Sequence, residues 1–453
     1  MRGRATGTRG SNEVKSAATV GWRRSLAVYS DRRVLLILLL GFSSGLPYLL
    51  TFSTLSAWLA TAGVKRAAIG AFALVATPYS LKFLWAPLMD RLKPPLPLGR
   101  RRGWGITIQA LLVAALLGLA SSDPKRNLMT MAALAFAVAF LSASQDTVID
   151  AYRVEYLPLE LQGPGAGTIE TGYRIAMLVS GAGALVIAAR VGWHSAYIAM
   201  AALQAACMFV FLFSPEPALS TEAALAKEVK RESAGQWFKR AVVGPFADFM
   251  RRPLWPVILL FAFDYKLGEG MAAIMSTPLY INSLHFTLDE IALVSKFFGF
   301  FAVVLGALIG GIVMVRFGIL RSLMFCGILQ VVGNAFYVLQ AVGGHRLSNL
   351  AICVAAEQLT SAMAGAALVA YLSSLCSPEF TATQYALLSS LAFLGAKVFG
   401  ASSGVLADAV GWVPFFLITT AASVPALLLL WWIMRREARL SDENSLLLAT
   451  TKD

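Results

Sequence analysis

The chain has 453 residues, 58% hydrophobic and 14% charged, with a net charge of +13 and a mean hydropathy of +0.69. A soluble globular chain is about half apolar and about a quarter charged, so these values exclude a soluble domain and point to a polytopic membrane protein. The basic balance fits the cytoplasmic loops of a membrane protein better than a nucleic-acid partner, and no nucleic acid is expected.

Four cysteines, Cys207, Cys326, Cys353 and Cys376, fall in or beside apolar runs without metal-ligand spacing. Three histidines, His194, His285 and His345, sit near predicted helix ends. Neither a disulfide framework nor a metal or other cofactor is expected.

Residues 1–33 are basic and lack the cleavage pattern of a signal peptide, so they read as a cytoplasmic tail. Apolar runs of about 20 residues, enough to cross a bilayer, then recur twelve times. They lie near 34–60, 67–88, 104–121, 128–152, 167–189, 194–213, 254–281, 290–314, 322–342, 348–375, 383–407 and 411–434, and are numbered helices 1 to 12 below. The expected fold is an all-α membrane protein of twelve transmembrane helices. A six-helix half at 34–213 and another at 254–434 flank a polar linker at 214–253 with Pro215, Pro217 and Pro245; a tail at 435–453 closes the chain.

Lys and Arg are distributed unevenly. The two tails and the 2–3, 6–7 and 8–9 loops carry 26 of them, including Arg91, Lys93 and Arg100–Arg102. The opposite side carries six: Lys65, Arg66, Lys125, Arg126, Arg190 and Arg346. Both termini are therefore expected in the cytoplasm.

The halves resemble each other. A shift of 219 residues lays Tyr152 on Tyr371, Glu160 on Glu379, Gly181 on Gly400 and Val191-Gly192-Trp193 on Val410-Gly411-Trp412; a slightly different shift lays Gln109 on Gln330. This is similar to the two-half plan of the major facilitator superfamily, with substrate between the halves and access alternating by rocking.

In helix 1, Gly41 and Gly45 are spaced for close helix packing. Tyr48 and the hydroxyls around it suit either sugar recognition or ordinary contact between helices. Helix 2 ends in Asp90-Arg91 before an Arg cluster, a loosened form of the superfamily's loop 2–3 charge clamp; Arg100–Arg102 read as interfacial anchors. Lys82 lies about 12 Å inside and needs a carboxylate or a water-filled cavity.

The stretch from Ser142 to Arg174 carries polar groups through two apolar runs. Ser142, Asp146, Asp150 and Arg153 form one stripe of helix 4, while Glu170 and Arg174 are i, i+4 partners on helix 5. Beyond the linker, Asp264, Lys266 and Glu269 lie on helix 7, Lys296 on helix 8, Glu357 on helix 10 and Lys397 on helix 11. Ionisable groups at such depth are expensive and mark substrate or ion pathways. The near balance of acids and bases suits pairing around one aqueous cavity. Each acid is either a proton-coupling site or half of a structural ion pair. The cations suit an anionic substrate group, carboxylate or phosphate. No nucleotide loop, zinc motif or nucleophile–base pair appears, so no enzyme is expected.

Several stretches together resemble the AmpG muropeptide permeases: GFSSGLPYLL, KFLWAPLMDR, GRRRGW, SASQDTVIDAYR, GYRIAMLVSG, YKLGE and FTATQYALLSSL. The resemblance is collinear from helix 1 to helix 12. It implies a proton-driven importer of the bacterial inner membrane. The cargo would be N-acetylglucosaminyl-1,6-anhydro-N-acetylmuramic acid and its peptides, whose uptake feeds cell-wall recycling and β-lactamase induction. The matching charged positions are Lys82, Asp90, Arg91, Asp146, Asp150, Arg174, Lys266, Glu269 and Glu357.

The substrate-binding candidates are Tyr48, Lys82, Gln145, Tyr173, Arg174, Lys266 and Glu357. The proton-coupling candidates are Asp146, Asp150, Glu170, Asp264 and Glu269; the gating candidates are Asp90, Arg91 and Arg153. The expected partners are the muropeptide, protons and the bilayer, with a monomer as the working unit. The alternatives are a superfamily transporter of another bulky anion, such as a CoA thioester, and a membrane enzyme acting on a lipid-linked precursor.

Overall fold

The computed structural model of the chain describes residues 27–64, 68, 72–92, 94–217, 243–291, 293–294, 298–400 and 402–450. Most of the predicted tail, residues 218–242 of the predicted linker, Lys296 and the side chain of Lys397 lie outside the described residues.

Every regular element among the described residues is helical. Among the described residues nine helices are long and apolar enough to cross a membrane, or ten if the bent pair Thr381–Gly400 and Ser403–Val410 is one span. They are Arg32–Thr61, Arg100–Ser121, Leu128–Tyr156, Leu159–Val191, Trp193–Phe213, Gly299–Phe317, Ile319–Gly343, Leu347–Ser374 and Trp412–Glu437. With the bent pair they account for predicted helices 1, 3 to 6 and 8 to 12.

Helices 2 and 7 differ from expectation, because each is assembled from short segments. Helix 2 runs through a 3-10 turn at Phe72–Ala76, an α segment at Thr77–Leu81, a second 3-10 turn at Lys82–Leu84 and an α segment at Ala86–Arg91. Pro78 and Pro87 open the two α segments, where a missing N–H is tolerated; further inside they would break the ladder. Helix 7 consists of Trp255–Asp264, Leu267–Pro278 and a π turn at Leu279–Ser283. Its break falls at Tyr265–Lys266, and Pro278 adjoins the π turn.

The repeat seen in the sequence is also a repeat of backbone geometry. Gly192 and Gly411 have φ of 97° and 78° and join helix 5 to 6 and helix 11 to 12. Gly99 and Gly318, again 219 residues apart, have φ of 99° and 79° and open helices 3 and 9. A side chain at such φ is strained.

Without a strong hydrophobic drive between helices in lipid, association relies on close packing by small residues. A Cβ on Gly41 would strike the backbone of Ile169, and one on Gly45 that of Tyr173. Helices 1 and 5 therefore touch backbone to backbone, as the spacing predicts. A core around Trp58, Leu112, Leu116 and Tyr197 draws on helices 1 to 6. Another, around Phe261, Tyr265, Tyr371 and Leu430, draws almost wholly on helices 7 to 12. The two packed bodies leave a space between them.

Candidate functional site

A cavity of about 550 Å³ lies between the halves. Ser44 and Tyr48 of helix 1, Tyr79 and Lys82 of helix 2, Asp146 and Asp150 of helix 4, and Glu170, Tyr173 and Arg174 of helix 5 form one wall. Helices 7, 10 and 11 complete it, with Ile274, Val369, Tyr385, Ser389, Ser390 and Phe393. One wall is charged and aromatic; the other is neutral.

The aromatic side chains are gathered. Tyr48 lies 4.5 Å from Phe52, 5.4 Å from Tyr79 and 5.9 Å from Tyr173, ring centre to ring centre. Lys82 finds both of the alternatives that its depth called for. It lines the cavity, and its Nζ is 3.5 Å from Asp150 Oδ2. Asp146 accepts a hydrogen bond from Ser44. Arg174 pairs with Glu170 at 2.8 Å, as the i, i+4 spacing predicts, yet its side chain stays 41% exposed. The side chains of Lys82 and Lys266 are only 12% and 9% exposed. Of the three, Arg174 offers the most free surface to a ligand.

Five of the substrate-binding and proton-coupling candidates stand outside this cavity. Gln145 is wholly buried; it donates to Ser43 at 2.8 Å and accepts from Gln204 at 3.1 Å. The structure thus places it behind the wall. Lys266 and Glu269 form a separate cluster in the second half. Lys266 Nζ meets Glu269 at 2.5 Å and donates to the Ser361 carbonyl at 3.1 Å; Gln330 and Ser361 also donate to Glu269. The contact of Gln330 with Glu269 repeats that of Gln109 with Ser43 in the first half. Glu357 is buried in helix 10. Asp264 ends the first segment of helix 7, and its buried Oδ2 has no hydrogen-bond partner among the described residues.

The cavity is closed at the basic end of the bundle by contacts between the halves. Asp90, at the foot of helix 2, caps the start of helix 11. Its carboxylate accepts from Ala382 N at 3.2 Å, Thr383 N at 2.9 Å and Thr383 Oγ1 at 2.8 Å. Arg91 pairs with Glu379 at 2.9 Å. Arg153 donates to Ser373 Oγ at 2.8 Å and stacks 5.4 Å from the Tyr385 ring centre. The Tyr29 phenol, kept protonated by burial, donates to the Leu308 carbonyl at 2.6 Å.

One expectation is corrected here. Arg101 is not an interfacial anchor. It is wholly buried and ion-paired to Asp90 at 2.8 Å and to Glu155 at 2.6 Å. A buried arginine needs such partners. Arg100 joins Glu155 at 2.8 Å, and Glu216 accepts from the backbone N–H groups of Arg101 and Arg102 that open helix 3. Sequence reasoning also missed Glu379, Tyr385, Ser389 and Ser390. FTATQYALLSSL, and the repeat mate of Glu160, were the signals available for them.

The family model of the Major Facilitator Superfamily matches residues 37–396 and 267–448. The chain is 41% identical over 401 residues to the anhydromuropeptide permease of Escherichia coli K12, covering 88% of this chain and 79% of that one. The chain belongs to the AmpG permease family of the major facilitator superfamily. A Rickettsia felis transporter named AmpG 4 is 35% identical over 396 residues, covering 86% and 94% of the two chains. Two solved structures share the fold. The Escherichia coli fucose:proton symporter gives a TM-score of 0.66 at 12% identity, covering 88% of this chain and 98% of that one. The proton:xylose symporter XylE gives 0.66 at 15% identity, covering 90% and 96%. This AmpG-family member is thus a multi-pass membrane transporter of small molecules and not an enzyme.

Proposed function

We propose that the protein imports anhydromuropeptides, the N-acetylglucosaminyl-anhydromuramic disaccharide with or without its stem peptide, across the bacterial inner membrane. It works as a monomer and is driven by protons. The observation that carries the cargo is the named activity of the Escherichia coli relative over nearly the whole chain. The cavity chemistry supports it. The rings of Tyr48, Tyr79 and Tyr173 suit the apolar faces of two sugars. The exposed Arg174 suits a lactyl or peptide carboxylate. A cavity of about 550 Å³ falls in the ~300–1,000 Å³ range of small-molecule sites.

Bodies 34–213 and 254–434 rock about the cavity, and 214–253 joins them. With both termini cytoplasmic, the basic end faces the cytoplasm. The arrangement is then closed to the cytoplasm and suited to receive cargo from the periplasm. Among the proton-coupling candidates, Asp146, Asp150 and Glu170 line the cavity. There they can trade a proton against an ion pair as access alternates.

The test is uptake of radiolabelled disaccharide by right-side-out vesicles, with and without a protonophore. Accumulation that collapses with the protonophore supports cargo and coupling together. Uptake that only equilibrates removes the proton, and no uptake by folded protein removes the cargo. Arg174→Gln should raise KM for the anionic cargo about tenfold or more, since a hydrogen bond to a charged group is worth ~1.5–3 kcal/mol.

A further inference from the structure

Two cations flank Asp150. Lys82 approaches from the cavity, and its 3.5 Å contact is long for a charged pair. Arg153 lies three residues further along helix 4 and is wholly buried. Among the described residues no carboxylate lies within ion-pair distance of Arg153. It meets Ser373 Oγ, the Tyr385 ring and, at 3.5 Å, Gln162 Oε1; its Nε has no partner among the described residues. A buried cation without an anion is costly, so this closed arrangement leaves one charge uncompensated.

Most acids near Arg153 are already engaged. Glu155 is held by Arg100 and Arg101, Asp90 by Arg101 and Thr383, and Glu379 by Arg91. Asp146 is seven residues away, about 10 Å along the helix, and accepts from Ser44. Asp150 stands at i, i+3 from Arg153, a neighbouring position on a helix.

We infer that Asp150 exchanges ion-pair partners, Lys82 for Arg153, and that this exchange links occupancy of the cavity to opening of its closed end. The inference rests on the alternating-access reading but on no particular cargo. An anionic group entering the cavity takes Lys82. Asp150, left without a cation, draws Arg153 back against helix 4. The guanidinium leaves Ser373 and Tyr385, and helix 4 loses its hold on helices 10 and 11. The entering anion supplies the charge that the closed state lacks. Arg153 and Tyr385 are positioning residues; neither needs to touch cargo through the cation.

Lys82→Met and Asp150→Asn test this, because both break one ion pair. A merely structural pair predicts the same outcome for both, whereas the exchange predicts opposite outcomes. Spin labels at Leu96 and Phe317, exposed positions at the basic end of opposite halves, report the opening by pulsed EPR in nanodiscs without cargo, in a background lacking the four native cysteines. Lys82→Met should raise the open:closed ratio about tenfold, within the range of coupling between neighbours. Asp150→Asn should lower it, and the double variant should follow Asp150→Asn. Shifts of the same sign, or none, overturn the exchange. Ser373→Ala leaves the ion pair intact and should also open the end; if it stays closed, the exchange is overturned even should Lys82→Met fail to fold. Wild-type distances that respond to the disaccharide while ignoring the variants sink the exchange alone. Distances that never change sink alternating access with it.

Discussion

Among the contacts through which the two halves meet at the basic end, two are related to each other by the repeat, and their chemistry is opposite. The foot of helix 2 meets the start of helix 11 through charge. Asp90 caps two N–H groups and one hydroxyl, and Arg91 pairs with Glu379. Helix 8 meets the start of helix 5 through small residues. A Cβ on Gly167 would strike the Ala307 carbonyl, one on Gly163 would press on Met314, and one on Gly311 would meet Tyr29 and Pro164. A polar contact has direction: it holds one geometry and needs new partners when it parts. A glycine contact has almost none, so surfaces can slide while staying close. The pair works as a latch beside a bearing.

The largest effect expected is at the latch. Asp90→Ala leaves Arg101 with Glu155 and the Met89 carbonyl and strips the cap from helix 11. Breaking one partner from a buried pair costs ~3–5 kcal/mol. The same spin-label pair should report an end that is mostly open, with accumulation of cargo abolished. An end that stays shut would mean that the remaining contacts, the bearing and Arg153 with Ser373, hold the halves without the latch. At the bearing, Gly167→Ala meets backbone that cannot give, and overpacking costs ~1–3 kcal/mol. It too should open the end, by about ten- to a hundredfold in the ratio. Its effect should survive high salt, because no charge is involved. If salt abolished it, the division between latch and bearing would be lost.

What was legible in the sequence follows the same division. Contacts fixed by spacing along one helix could be predicted: Glu170 with Arg174, and the Gly41–Gly45 face that meets helix 5. The need of Lys82 for a carboxylate followed from its depth alone. The partners in contacts between distant elements could not be predicted. Asp90 finds Thr383 across 293 positions, and Arg101 finds Glu155 across 54, with nothing in spacing to announce either. Hydropathy gave helices 2 and 7 their existence, but it sums composition and does not register a break at Pro87 or Lys266. Gln145, a substrate-binding candidate, adjoins Asp146 in sequence but not in direction. Adjacent residues on a helix face about 100° apart, and Gln145 faces Ser43 and Gln204 instead.

The smallest effect separates the two parts of the latch. Arg91 and Glu379 form an ion pair with 16% and 35% side-chain exposure, and Arg91 also lies 4.9 Å from the centre of the Phe380 ring. Partly exposed pairs are worth ~0–1 kcal/mol and are screened by salt. Arg91→Gln should therefore shift the open:closed ratio by no more than about fivefold at low salt, and the shift should fade towards 1 M, where the Debye length falls to ~3 Å. Asp90→Ala should lose little of its effect over the same range, since its partners are buried. A salt-resistant Arg91→Gln would mean that the Arg91 pair holds the halves together as firmly as the Asp90 cap does. The cap would then be only the inner part of one continuous charge clamp, and the contrast with the glycine contact would lie in polarity alone rather than in burial.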